Sequence, residues 1–198
     1  MKKTKRNSLL IFLITLISTT LACTIFVGGP DYSSLPVIPV STEAAQSLTD
    51  SVKKSFEDGL QTGVVTITIT EPQITSYLAL RMQTDPNMQQ SNQQPIITDP
   101  QVYLRDGQMK IYGKTQQGVL AANIGIILSV GADELGKPKI EITSADFGPF
   151  PAPEGLNEAV TTLVEEAYTG SLGPVATGLR IETIAIADGI MTVTGRIR

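Results

Sequence analysis

Residues Gln101–Lys114 read QVYLRDGQMKIYGK, and the Asp106-Gly107 pair at the centre decides how the rest of the chain is read. Asp-Gly between two alternating segments is the strongest short-range signal for a two-residue β-hairpin turn, because both central residues of a type I′ turn need positive φ. A turn there pairs Leu104 with Met109 and Val102 with Ile111 on one apolar face. Tyr103, Arg105, Gln108 and Lys110 fall on the other face. The closing segment carries the same signal. IAIADGIMTVTGR, from Ile184 to Arg196, aligns its Asp-Gly, Met and later Gly with those of the first hairpin, placing Ile184 over Val102 and Ile186 over Leu104. Turn chemistry and alternation alone produce much of this match, and two occurrences do not make a repeat protein.

Outward from the first hairpin, Val119–Val130 alternates strictly. Leu120, Ala122, Ile124, Ile126, Leu128 and Val130 share one face, with Val119, Ala121, Asn123, Gly125, Ile127 and Ser129 opposite. Lys139–Phe147 and Val64–Thr70 (VVTITIT) read as further strands. Glu43–Gly59 reads as a helix with Ala45, Leu48, Val52 and Phe56 at three- and four-residue spacing, stopped by Gly59. Thr70-Glu-Pro-Gln73 has the form of a capping box and opens a second helix to about Met82, with Ile74, Tyr77, Leu78 and Arg81 on adjoining faces. A third helix is expected over Glu154–Tyr168, with Leu156, Val160, Leu163 and Ala167 as its stripe. Gln83–Pro100, rich in Gln, Asn and Pro, reads as a surface loop. The fold class is therefore α+β: a curved antiparallel sheet, a meander with two Asp-Gly hairpins, packed with two to three helices and preceded by a signal or anchor segment.

The N-terminus, MKKTKRNSLLIFLITLISTTLAC, has a basic leader, an apolar run and the small residue Ala22 before Cys23, the order of an export signal. Three readings of Cys23, the single cysteine, stand open. It is the lipidated first residue of a lipoprotein, although Leu21 and Thr20 are displaced from a clean lipobox. Alternatively, it sits in an uncleaved helix, since Ser8–Val27 is an uncharged run of about the length that spans a bilayer. The third reading is ordinary cleavage and release. All three put the rest of the chain outside the cytoplasm, and the first two leave it on the cell membrane. The expected organisation is an export signal or anchor over 1–22, a Pro/Gly-containing tether over 23–42 and a single extracytoplasmic domain over 43–198.

Several function classes are excluded or left without support. The formal charge of −4 falls to −8 without the leader cations Lys2, Lys3, Lys5 and Arg6, which disfavours nucleic acid as a partner. There is no His, so His-dependent triads and His–metal sites are absent, and one Cys cannot build a cysteine-ligated zinc site. No phosphate-binding glycine loop occurs. Asp133-Glu134 reads as a solvated turn pair, Glu165-Glu166 as a polar helix face, and Asp106 and Asp188 as turn residues. No cofactor, no metal and no catalytic residue is expected, and nothing recommends an enzyme.

What has functional potential is the apolar alternation. Ala185, Ala187 and Ile190 lie opposite Ile184, Ile186, Met191 and Val193, so parts of both faces are apolar. Either the sheet curves and is covered on both sides, or it lines a groove for an apolar ligand. In the second case the lining is expected to include Leu120, Ile124, Ile126, Leu128, Ile186 and Met191.

The TEPQITSYL helix start, the VYLRDGQMKIYG hairpin, the long apolar strand, the Phe147-Gly-Pro-Phe-Pro-Ala-Pro153 turn and the closing ADGIMTVTG hairpin together resemble the YpmS-like bacterial anchored proteins. They are also similar to the LmeA-like exported proteins. The resemblance runs from about Val64 to Arg198. It implies an elongated, strongly curved sheet around helices, akin to tubular lipid-binding domains, and a role in binding or handling lipid near the membrane. It supplies no catalytic residues. The functional expectation is a membrane-anchored extracytoplasmic domain that binds an apolar ligand, a lipid. The alternative is an envelope structural or protein-interaction lipoprotein with a filled core.

Overall fold

The computed structural model describes residues 24–84, 97–152 and 178–197. Segment 1–22, Cys23, most of the Gln83–Pro100 loop and the helix expected over Glu154–Tyr168 lie outside them. The protein is α+β, with strands β1 (Ile25–Phe26), β2 (Val64–Thr70), β3 (Thr98–Arg105), β4 (Gln108–Gln117), β5 (Leu120–Ala132), β6 (Pro138–Asp146), β7 (Leu179–Ala187) and β8 (Ile190–Ile197). Helices α1 (Thr42–Thr62) and α2 (Glu71–Thr84) flank β2.

Both Asp-Gly hairpins form in the expected register, Leu104 against Met109 and Val102 against Ile111 in the first, Ile186 against Met191 in the second. Asp106 and Gly107 have φ of 57° and 73°, and Asp188 and Gly189 have 51° and 83°, as a type I′ turn demands. The strands form two ladders rather than one continuous meander. β3, β4 and β5 pair in sequence with β6 on the outer edge of β5, while β2, β8 and β7 form a separate three-stranded sheet. The β4–β5 connection is a further tight turn, with Gly118 at φ 62° between the paired Gln117 and Leu120.

One expectation is corrected at Gly59. The glycine lies inside α1 rather than ending it, because a Cβ there would collide with the buried Val65 side chain. The helix stops at Gly63, in the left-handed conformation at φ 75°. The capping box at Thr70 forms through its return arm: Gln73 Oε1 accepts the Thr70 N–H at 2.9 Å.

Much of the segment expected as a Pro/Gly-containing tether over 23–42 lies along the sheet. Residues 24–40 do not hang free; they run as a strap along the five-stranded sheet. β1 pairs in parallel with the start of β5, Ile25 against Leu120. Asn123 N–H then donates to Gly28 O (2.8 Å), and its side chain donates to Pro30 O (3.1 Å). Gly29, at φ 110°, passes so close to the Asn123 backbone that no Cβ fits. Further on, Tyr32 stacks on Tyr112 with centroids 5.1 Å apart. Tyr103 donates its hydroxyl to Pro36 O at 3.0 Å, and Ile38 is buried while exchanging two hydrogen bonds with the Gln101 side chain. This strap explains why Tyr103, placed by alternation on the outer face, is only 1% exposed.

The opposite face carries the main core. Val102, Leu104, Met109, Ile124, Ile126 and Leu128 meet Ile186 and Met191 from the second hairpin, with Ile74, Leu78 and Met82 of α2 packed against them. A second cluster forms where Val52 and Phe56 of α1 meet Val65, Ile67, Leu179 and Ile181. Ile69, Ile184 and Val193 border both clusters, so the two sheets share continuous apolar packing.

Candidate functional site

The six residues nominated as a ligand lining divide into five and one. Ile124, Ile126, Leu128, Ile186 and Met191 converge in the main core, none more than 8% exposed. Leu120 does not join them; it lies at the end of the sheet beside Ile25, 36% exposed. Around the closed core runs a border of half-buried apolar side chains, Val130, Ile140, Ile142, Phe150, Ile184 and Val193, all packed against the same cluster. These come from β5, β6, β7, β8 and the turn after β6. The border was not nominated from sequence, although the alternation of Ile140 with Ile142 in KIEITS was its visible signal.

At the far end of β5 the chain turns through Asp133–Lys137 and docks on the second sheet. Asp133 Oδ1 accepts the Leu135 and Lys137 N–H groups at 2.9 and 2.7 Å, and Ile181 N–H donates to Gly136 O at 2.8 Å. An open cleft of about 600 Å³ lies at this junction, lined by Asp133, Glu134, Arg180, Glu182 and Arg196 beside Ala132, Ile181 and Ile197. One ion pair and one side-chain-to-backbone bond are made within it. Arg196 Nε is 2.9 Å from Glu182 Oε1, and Arg180 donates to Glu134 O. The cleft is polar, so it does not supply the apolar groove considered from sequence.

The group that sequence reasoning missed altogether is Glu71, the first residue of α2 and 7% exposed. Its Oε1 accepts the Leu104 N–H at 2.8 Å, and its two oxygens meet Arg105 Nη1 and Nη2 at 2.8 and 3.1 Å. Its own N–H donates to Gly189 O (3.1 Å), and Gly189 N–H donates to Leu104 O (2.9 Å). One turn later, Thr75 Oγ1 accepts the Val102 N–H at 3.0 Å. The outer edge of β3 is thus closed by an i, i+4 pair of side chains and a hairpin turn instead of a neighbouring strand. Every buried side-chain nitrogen and oxygen among the described residues has a partner.

The remaining carboxylates sit where their turns need them. Asp146 accepts the Gly148 N–H at 2.8 Å. Lys110 beside Asp106 holds that exposed carboxyl below its usual range, and Lys139 does the same for Glu141. Burial pushes the Tyr32 and Tyr103 hydroxyls up. Among the described residues no group of three or more His, Cys, Asp or Glu could hold a metal ion, and no helix is long and apolar enough to cross a membrane.

No family model matches the chain, and no curated protein matches it. Among solved structures, the crystal structure of a lipopolysaccharide binding protein aligns with 81% of this chain and 47% of its own, at 10% identity and a TM-score of 0.21. The chain spans about half the length of that protein. A superposition of this quality carries no argument about shared fold or ligand.

Proposed function

We propose that the protein is a membrane-anchored extracytoplasmic domain, attached through a lipidated Cys23, that binds an apolar ligand of the lipid class at the cell envelope. The observation that carries the ligand part is the apolar border around the main core. Six large side chains packed on a closed core, each still partly exposed, offer apolar area that an acyl chain covers without disturbing any buried hydrogen bond.

The attachment part is supported by where regular structure begins. Thr24 is not helical and Ile25–Phe26 are strand, so the last residues of the uncharged run belong to the sheet. The uncharged run that precedes them, Ser8–Cys23, is shorter than the roughly 20 apolar residues that a spanning segment needs. A lipid on Cys23 anchors the chain without that length. The polar cleft and the lone acidic turns offer no comparable case for catalysis.

Native mass spectrometry of the gently extracted full-length protein is expected to show retained lipid. A ligand-free mass would overturn the ligand reading, and unchanged fatty-acid labelling in Cys23→Ala would overturn the attachment. The near-complete burial of five nominated lining residues favours a second reading, an envelope interaction domain with a filled core. Cell-surface crosslinking that repeatedly captures one protein, together with a lipid-free mass, would select it.

A further inference from the structure

We infer that the end of the sheet built by β1 and the β4–β5 turn is a membrane-contact surface, seated on the lipid from which the chain emerges. The inference rests on the anchoring proposed above and adds where, and in what orientation, the domain meets the bilayer.

Four large apolar side chains lie at that end, Ile25 and Leu120 on one face of the sheet and Phe26 and Val119 on the other. Ile25, Phe26, Val119 and Leu120 are 56%, 60%, 58% and 36% exposed. They are held together by backbone pairing, Ile25 opposite Leu120 and Ile25 N–H bonded to Val119 O at 2.7 Å. Four exposed apolar side chains gathered at one end of a sheet, on both of its faces, suit an end that inserts edge-on into an apolar phase.

The surroundings suit lipid. No charged residue occurs from Thr115 to Ala132 or from Thr24 to Pro30, so the tip can approach headgroups and acyl chains without desolvating an ion. The charged residues of the junction, Asp133, Glu134, Arg180, Glu182 and Arg196, gather at the other end of β5. At about 3.3 Å per residue that end is roughly 40 Å from Leu120. The molecule is polarised along its long strand.

The chain itself sets the distance. Cys23 precedes Ile25 by two residues, which span at most about 7 Å even when fully extended. Because β1 is paired into the sheet, an anchor at Cys23 holds this end of the sheet, and no other, against the bilayer. Phe26 and its neighbours then sit at the depth where apolar side chains of peripheral domains insert.

The chain contains no Trp, so a single introduced Trp reports its own surroundings. Full-length V119W and, at the opposite end, L135W are reconstituted into phosphatidylcholine vesicles with and without brominated acyl chains. V119W is expected to lose emission severalfold more than L135W in brominated vesicles and to shift to shorter wavelength. Q117W, on the exposed end of β4, gives the same readout should V119W misfold. Protein that floats with vesicles while V119W and Q117W are quenched no more than L135W overturns the contact surface alone. Protein that fails to float overturns the anchoring and the contact surface together. A disulfide-linked dimer formed by Val119→Cys in the same vesicles would assign the tip to a second copy and also overturn the inference.

Discussion

Replacing Glu71 by Ala removes the acceptor that closes the β3 edge. The buried Leu104 N–H then faces a methyl group, and an unpaired buried donor costs about 1–3 kcal/mol. The bidentate contact with Arg105 is lost as well. Its guanidinium is 39% exposed and can be rehydrated, so the 3–5 kcal/mol typical of breaking a fully buried pair is an upper bound. The sum for Glu71→Ala is about 2–4 kcal/mol. Glu71→Gln keeps an oxygen for Leu104 and loses only the charge, for about 1–2 kcal/mol. For a domain of this size each kcal/mol moves Tm by roughly 2–4 °C, so Glu71→Ala is expected to lower it by about 4–16 °C and Glu71→Gln by about half of that. Urea unfolding of the full chain, followed by circular dichroism, measures both, with Arg105→Ala completing a double-mutant cycle whose coupling should exceed about 0.5 kcal/mol. Loss of stability below 0.5 kcal/mol in Glu71→Ala, or equal loss in Ala and Gln, would refute the assignment of Glu71 as the acceptor that holds the edge.

Gly59→Ala should destabilise by about 1–2 kcal/mol net in the same unfolding assay, because overpacking against Val65 costs up to about 3 kcal/mol and helix propensity returns only about 1. Tyr103→Phe should cost about 1 kcal/mol and raise amide exchange selectively in residues 32–40, since it frees the strap at Pro36 and leaves the sheet intact. The Asp106 carboxyl is held down by Lys110, so the benefit of that pair is full above the ordinary carboxylate range and fades as pH falls through the lower folded value. An NMR titration of Lys110→Ala should bring the Asp106 midpoint back up, and an unmoved midpoint would assign the depression to another cause.

Elements whose formation depends on nearby residues were legible in the sequence. Asp106-Gly107 and Asp188-Gly189 specify their hairpins down to the partner of Leu104, because type I′ geometry and alternation constrain the same few residues. VVTITIT and the α1 stripe were equally plain. What failed to show depended on partners far along the chain. The Gly28-Gly29-Pro30 region reads as flexible, yet Asn123 and Gln101 supply the bonds that dock it. Gly59 reads as a stop because only the fold reveals Val65 against it. Glu71, Thr75 and Ser76 drew no expectation at all, since periodicity does not distinguish a polar stripe facing water from one facing an open strand edge. Of the proposed lining, alternation correctly grouped Ile124, Ile126 and Leu128, but could not say that a second sheet would close over them or that Leu120 lay beyond its reach.

The parallel pairing of β1 with β5 also sets an order of events. Ile25 is among the first residues of the folded unit to be made, yet its partner Leu120 comes far later, after both strands of the first hairpin. Until β5 is delivered, the segment following Cys23 has no strand to join and stays extended and accessible. Under the attachment proposed above, the enzyme acting at Cys23 would have a window in time that closes when β5 arrives, because Ile25, two residues on, then pairs into the sheet. Slowing completion of β5 would lengthen that window, so the efficiency of processing becomes a property of the folding rate as much as of the residues around the cysteine.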